Sequence, residues 1–557
     1  MHPPVLNIPT QHLQNRPRPY LKTRTLERWL DELPAASTDE SARRMLTQLR
    51  TLNQSQYPVD HRMKLLERLQ PTVTRLVEAL SNALRHAPLP LSDKLQNKAE
   101  LLDQLLEELG CGYKLSVSEL SLVAKPRENE QLLLQEAVFG AITNLGRRLL
   151  DAYLLYQPEP PDVWRDLNQL DRFADLHDIH TAQVDTTALA RRHPDSVDAA
   201  YKQVVMLALS EPYSLMQNEA QHIYELSCAW AEECQLFQIG DLPPRGEFVI
   251  DLAADRGPRY IADASSMSFE DARIVDFSAA RAKVDTRLGK LLRRFTEHKT
   301  PDTRALRQRQ ERDMLLRLTD LWHSSATRRE ERKPLGNRIQ LAIGLNPCHY
   351  FASGEAAFTP AMDELKVHSA RGHGAADVSF ADAYREALHE DRKRAHHGYA
   401  LSPWQQVNAS TRGMAILCAG KDCQTMPTSV GELVGYRFGT RTGERWKIGV
   451  VRWLQSLPDI GLEMGIMHLG ASGVPATVCG IKGFGAGTGY FRALLIARQV
   501  SLQQIRTLLL PASLYDVNSV LTINVKQRLF RARLSRLVRA TRTFAQFEFE
   551  VIKEDQP

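Results

Sequence analysis

Apolar positions recur at helical spacing through the first half of the chain. Leu26, Trp29 and Leu30 open an amphipathic turn, and Ser37, Thr38, Asp39 and Glu40 supply capping chemistry ahead of Met45 and Leu49. Leu65, Leu66, Leu69, Leu76, Val77, Leu80 and Leu84 predict a longer helix that Pro71 kinks or splits. Leu101, Leu102, Leu105 and Leu106 repeat the pattern, with Gly110 placed as a C-cap. A further apolar helix is expected over 132–156, and Pro158, Pro160 and Pro161 stop it. Helical periodicity resumes over 163–176, 196–210 and 216–236. Antiparallel helix pairs or a short solenoid fit this half, although no strict repeat period is present.

The period then changes. A break at Pro243, Pro244 and Gly246 precedes a strand-like run over 248–252, and helices are expected over 278–297 and 301–323. From there alternation dominates. Strands are predicted over 338–344, 349–352, 414–417, 433–438, 446–453 and 462–467, punctuated by Gly431, Gly443, Pro458 and Gly461. A second series follows over 490–497, 508–511, 520–525, 530–538 and 544–551, in which Phe547, Phe549 and Val551 alternate with Glu548 and Glu550. The fold class is therefore α+β and multidomain: an N-terminal helical scaffold, then a C-terminal antiparallel β-barrel and a further small β region, either a second barrel or an extension of the first. The expected divisions are a helical domain over 1–157, a helical-pair region over 158–240, and a mixed helix and strand connector over 241–325. A barrel with an insertion at 354–403 covers 326–470, and the second β region covers 471–557.

Length and composition narrow the class without naming an activity. A chain of 557 residues holds roughly three or four domains. A 43% hydrophobic and 25% charged composition is that of a globular protein, and a net charge of +5 is too mild to argue for nucleic acid. The start, Met1-His2-Pro3-Pro4, lacks the basic and apolar regions of a secretion signal, and no apolar run approaches the ~20 residues that span a bilayer. Seven cysteines, an odd number without a C-x-x-C pair, point to reduced thiols and a cytoplasmic location.

The candidate chemistry lies where helix gives way to strand. Arg328 and Arg332, spaced R-x-x-x-R, stand directly before the first strand of the barrel. Guanidinium groups fork onto phosphate and stack on purine rings. Downstream, Asn408, Ser410 and Gly413 form N-x-S-x-x-G in a polar turn running into a strand. Asn408 and Ser410 can bond the local backbone there, and Gly413 permits a positive φ. Further on, Gly461, Leu462, Met464, Gly465 and Ile466 make a Gly-rich aliphatic strand.

This order of motifs resembles the PilZ family, in the C-terminal region only, over roughly residues 325–470. The resemblance implies a six-stranded barrel that binds cyclic di-GMP. It places phosphate and guanine on Arg328 and Arg332 and the other side of the ligand on Asn408, Ser410 and Gly413. Arg329 and Arg412 neighbour motif positions and join the expected ligand-binding set. The insertion at 354–403 separates the two motifs further than the family usually does, and it can either lid the pocket or block it. A second basic pair, Arg392 and Arg394, lies nearer to Asn408. The function so implied is a cyclic di-GMP receptor that relays nucleotide level to a protein partner through the helical half, in motility, pili or biofilm control. The alternative is an interaction scaffold with a degenerate, non-binding PilZ-like barrel.

Other chemistry is weaker. His368, His373, His389, His396 and His397 of the insertion match no tetrahedral spacing, so no metal and no cofactor beyond the nucleotide ligand is expected. Gly483, Gly485 and Gly487 are followed by a strand, whereas a phosphate loop opens a helix. Lys526, Arg528, Arg531, Arg533, Arg536, Arg539 and Arg542 form a basic face, and nucleic acid is a minor expectation there. G-x-S-x-G, H-E-x-x-H and G-x-x-x-x-G-K-[ST] are all missing, as are cyclase and phosphodiesterase signatures, so the chain is expected to read the nucleotide and not to be an enzyme.

Overall fold

The computed structural model describes residues 3–11, 22–34, 36–123, 125–184, 194–238, 248–261, 271–295, 303–323, 333–356, 358, 399–420, 428–439, 445–458, 460–497, 506–526 and 528–552. Two compact units emerge, one from residues 1–289 with 317–329 and the other from 290–316 with 330–557.

The first unit is helical at its start. Its helices are α1 (Thr23–Asp31), α2 (Thr38–Gln54), α3 (Val59–Leu84), α4 (Asp93–Leu120), α5 (Glu128–Leu154), α6 (Val163–Leu176), α7 (Val197–Leu209) and α8 (Glu219–Trp230). Ser37 caps α2 by accepting the Glu40 backbone N–H. Pro71 does not split α3: the helix is continuous through it. The lost N–H is offset by a broad, largely apolar face, with Leu65, Leu66, Leu69, Val73, Leu80 and Leu84 all buried.

Gly110 is likewise not a C-cap. It sits in the interior of α4, where a Cβ would lie 3.4 Å from that of Asn144 on α5. That is an ordinary contact distance, so neither termination nor close approach requires a glycine there. α4 and α6 are joined by a buried ion pair: Lys114 Nζ is 2.6 Å from Asp166 Oδ2 and 2.6 Å from the carbonyl oxygen of Asn7, and the Asn7 N–H donates to Asp166 Oδ1 at 3.0 Å. An extended N-terminal segment is thereby fixed onto the helices.

The helix expected over 216–236 is shorter than its pattern. After α8 the chain turns into β1 (Gln235–Gln238), which joins β2 (Phe248–Asp251), β3 (Arg259–Tyr260) and β4 (Ala272–Asp276) in an antiparallel sheet of order β1-β4-β2-β3. Two long helices follow, α9 (Ser278–Phe295) and α10 (Thr303–His323).

The second unit contains two barrels. The first uses β5 (Lys333–Pro334), β6 (Arg338–Ile343), β7 (Ser402–Ala409), β8 (Gly413–Ala419), β9 (Leu433–Phe438), β10 (Lys447–Leu457) and β11 (Gly461–Gly470). Their order is β5-β7-β6-β9-β10-β11-β8, and β8 pairs back onto β7, closing six strands with β5 as an added edge. The second barrel is closed as β12-β13-β14-β17-β16-β15, from β12 (Gly473–Lys482), β13 (Phe491–Ile496), β14 (Thr507–Pro511), β15 (Val520–Val525), β16 (Arg528–Ala540) and β17 (Phe544–Ile552). It is a barrel in its own right, filled by Val478, Phe491, Leu508, Leu521, Leu534 and Phe547.

The strand expected over 349–352 is instead part of α11 (Leu345–Ala352). Leu345, Cys348 and Phe351, three residues apart, all point inward and are buried. Leu345 and Cys348 enter a cluster with Leu433, Ile448 and Leu469 of the first barrel and Leu494, Ile496 and Phe544 of the second. The two barrels thus share one apolar core, with α11 wedged into it.

Candidate ligand site at one end of the first barrel

Antiparallel pairing brings one end of every strand of the first barrel to the same rim. There β6, β8 and β10 begin, at Arg338, Gly413 and Lys447, and β7, β9 and β11 end, near Ala409, Phe438 and His468. The N-x-S-x-x-G stretch forms part of this rim. It differs from the expected polar turn in one respect: Asn408 lies inside β7, half-buried, opposite Ala415 of β8. A bulge at Val407 shifts the register just before it, and such bulges re-aim the side chains that follow.

The turn proper is Ser410-Thr411-Arg412. The Ser410 N–H donates to the Gly413 carbonyl at 2.8 Å, and the Ser410 hydroxyl is a longer 3.5 Å from the same oxygen. Arg412 is exposed at the tip, and its carbonyl accepts the His468 N–H at 2.9 Å. Gly413 does not use the positive φ expected of it. It is required for close approach, because a Cβ there would lie 2.5 Å from the carbonyl oxygen of Ile466 on β11. The β8–β11 seam runs through this contact. Gly413→Ala is expected to push the strands apart and destabilise the barrel by about 1–3 kcal/mol, the cost of overpacking. Faster hydrogen exchange in β8 and β11 is the readout, and unchanged exchange would refute it.

Arg328, Arg329 and Arg332 lie outside the described residues, as do Arg392, Arg394 and the five insertion histidines. The chain re-enters at Lys333, which pairs with Ala409, and Pro334 pairs with Asn408. Leu335 N–H then donates to the Val407 carbonyl at 3.0 Å. The segment that follows R-x-x-x-R is therefore hydrogen-bonded to the strand that carries N-x-S. Sequence reasoning missed β5 because it is only two residues long and one of them is proline.

Elsewhere the expected chemistry is sparse. Among the described residues, no group of three or more His, Cys, Asp or Glu side chains is placed to hold a metal. Gly485 packs its backbone against Tyr515 and the Leu514 carbonyl in a turn after β12. On the basic face of the second barrel, Arg536 pairs with Glu548 and Arg533 stands opposite Glu550. Arg539, expected to face outward, is half-buried with its Nη2 3.9 Å from Met467 Sδ.

Comparison with known proteins adds the family. Residues 24–241 match the family model described as Cyclic-di-GMP receptor FimW, N-terminal domain. Residues 247–397 and 373–475, two overlapping segments, match the Cyclic-di-GMP receptor FimW, middle PilZ domain, and residues 476–552 match the FimW C-terminal beta-barrel domain. The Cyclic-di-GMP receptor FimW of Pseudomonas aeruginosa is 26% identical over 583 aligned residues, covering 98% of this chain and 93% of that protein. No solved structure matches the chain. A resemblance confined to the C-terminal region, over 325–470, is thus too narrow. The PilZ match occupies the middle and begins at 247, and the helical half is itself matched. From residue 24 to residue 552 the chain matches, in order, the FimW N-terminal, middle PilZ and C-terminal β-barrel domain models.

Proposed function

We propose that the chain is a cyclic di-GMP receptor and binds the nucleotide at the barrel rim around Asn408, Ser410 and Gly413, with Arg328 and Arg332 as the cationic side of the pocket and Arg329 and Arg412 flanking it. The observation that carries this reading is the pairing of β5 with β7. Arg332 is one peptide bond from Lys333, and Lys333 stands opposite Ala409, next to Ser410. Arg332 and Asn408 are 76 positions apart in the sequence, and the pairing of the residues directly after Arg332 with β7 supports bringing the two motifs to one site.

The course of β7 bears on access. The insertion enters β7 at Ser402, and the turn leaves it at Ala409. Seven steps of ~3.3 Å separate the two, or ~23 Å. The insertion is therefore rooted at the opposite end of the barrel from the ligand rim, which favours a binding-competent site over a blocked one.

The receptor reads the nucleotide and passes its level to a protein partner through the helical half, in motility, pili or biofilm control. Among the described residues no helix is long and apolar enough to cross a membrane; a cytoplasmic location fits the cysteine usage. Calorimetry with cyclic di-GMP on the purified chain tests the reading, and absence of binding would overturn it. Ser410→Ala is expected to weaken binding by about 0.5–1.5 kcal/mol, the value of a neutral hydrogen bond. Wild-type affinity in that variant would remove Ser410 from the site.

A further inference from the structure

We propose that His468 is a further ligand-contacting residue of this rim, that its Nε2–H donates to the edge of a guanine, and that it sets a preference for guanine over adenine. The inference rests on the receptor reading above and goes beyond it in naming a residue outside both motifs and a base specificity.

Position comes first. His468 lies near the end of β11, and its backbone N–H donates to the Arg412 carbonyl at 2.9 Å, tying it to the tip of the Ser410–Gly413 turn. Opposite it on β10 is Gly449, which has no side chain to cover the ring.

The tautomer follows from what holds the ring. Nδ1 is 2.7 Å from the Tyr436 hydroxyl, and the two rings stack at 5.7 Å with an interplanar angle of 29°. Tyr436 is only 2% exposed. Its hydroxyl is a donor that needs an acceptor when buried, and Nδ1 is the acceptor the structure supplies. The phenol therefore donates, Nδ1 accepts, and the imidazole proton stands on Nε2. Burial lowers the His468 pKa, with nearby Lys447 adding to the effect, and burial raises that of Tyr436, so both groups stay neutral near pH 7. Nε2 has no hydrogen-bond partner among the described residues, and His468 is only partly buried.

A fixed N–H donor at the rim distinguishes the two purines. Guanine offers N7 and O6 as neighbouring acceptors, whereas adenine offers N7 beside an N6 amino donor. The donor gains a contact with guanine O6 and meets another donor on adenine.

The test is competition between cyclic di-GMP and cyclic di-AMP on the full chain. In His468→Ala the preference for cyclic di-GMP should fall about five- to tenfold, through loss of affinity for cyclic di-GMP. His468→Gln, whose amide N–H can take the place of Nε2–H, should restore most of it. Tyr436→Phe keeps the ring packing but frees the tautomer, and should reduce the preference about two- to threefold. A preference unchanged in His468→Ala and Tyr436→Phe, on a wild-type chain that binds cyclic di-GMP, would overturn this inference and leave the receptor reading standing. A wild-type chain that binds neither dinucleotide would overturn both.

Discussion

Asp166→Ala is expected to loosen the helical unit by about 3–5 kcal/mol, the cost of removing one partner from a buried ion pair. The reason is the position of Lys114. Its side chain is 6% exposed and that of Asp166 is 2% exposed. Without the carboxylate, the ammonium keeps only the Asn7 carbonyl, a single neutral acceptor for a buried charge. The Asn7 N–H loses its acceptor at the same time, so the segment over 3–11 should detach from α6. Hydrogen exchange of the α4 and α6 amides reads this local opening directly. Adding Lys114→Met to Asp166→Ala should recover much of the loss, because an apolar side chain of similar length leaves no charge stranded. Protection in α4 and α6 that survives Asp166→Ala would show that the pair is not what joins the two helices.

Much of the fold is legible in the sequence, for physical reasons that also explain the exceptions. Helices α3, α5, α6 and α7 bury wide leucine and aromatic stripes, and a stripe at period 3.6 is a strong signal. Strands β9, β10 and β11 are short apolar runs bounded by glycines and are visible for that reason. β7 is not. Its inward positions are Ser402, Trp404 and Gln406, two of them polar, so alternation of burial is not alternation of hydropathy. β12 is hidden by Gly473, Pro475, Ala476 and Gly480; Gly473 lets Ile448 of the first barrel approach, and Gly480 lets the turn after β12 approach. For α11 a signal existed in the spacing of Leu345, Cys348 and Phe351, and Pro347 near the helix start is compatible with it. Gly110 and Gly413 share one lesson. Each invites a reading from backbone conformation, yet Gly110 sits in mid-helix, and Gly413 is needed because the Ile466 carbonyl comes too close for a Cβ.

The proposed site was legible as two motifs but not as one place. Nothing in the spacing of the two motifs shows that Lys333 and Pro334, which follow the first, pair with Ala409 and Asn408 of the second. His468 carries no motif signal at all, since its relevance comes from a backbone hydrogen bond across the β8–β11 seam and from a tyrosine on β9. Long-range strand register is the information a local pattern lacks.

The largest effect on binding is expected at Arg332. A cyclic dinucleotide presents two phosphates and two purines, so its receptor needs cationic forks and stacking planes together. An arginine supplies both in one planar group, and a lysine supplies only a point charge. Arg332→Lys keeps the net charge and should nevertheless weaken cyclic di-GMP binding nearly as much as Arg332→Ala. Loss of a charge-assisted contact costs about 1.5–3 kcal/mol, which is roughly ten- to more than a hundredfold in affinity. Arg328→Ala should fall in the same range. Arg539 is unsuitable as a remote control, because it reaches Met467, the strand partner of Gly413. Arg528→Ala, exposed on β16 of the other barrel, should leave affinity unchanged. Titration calorimetry separates the cases. Wild-type binding in both Arg328→Ala and Arg332→Ala would end the assignment of this pair. Loss of binding in Arg392→Ala and Arg394→Ala instead would keep the rim around Ser410 and move its cationic side to the insertion.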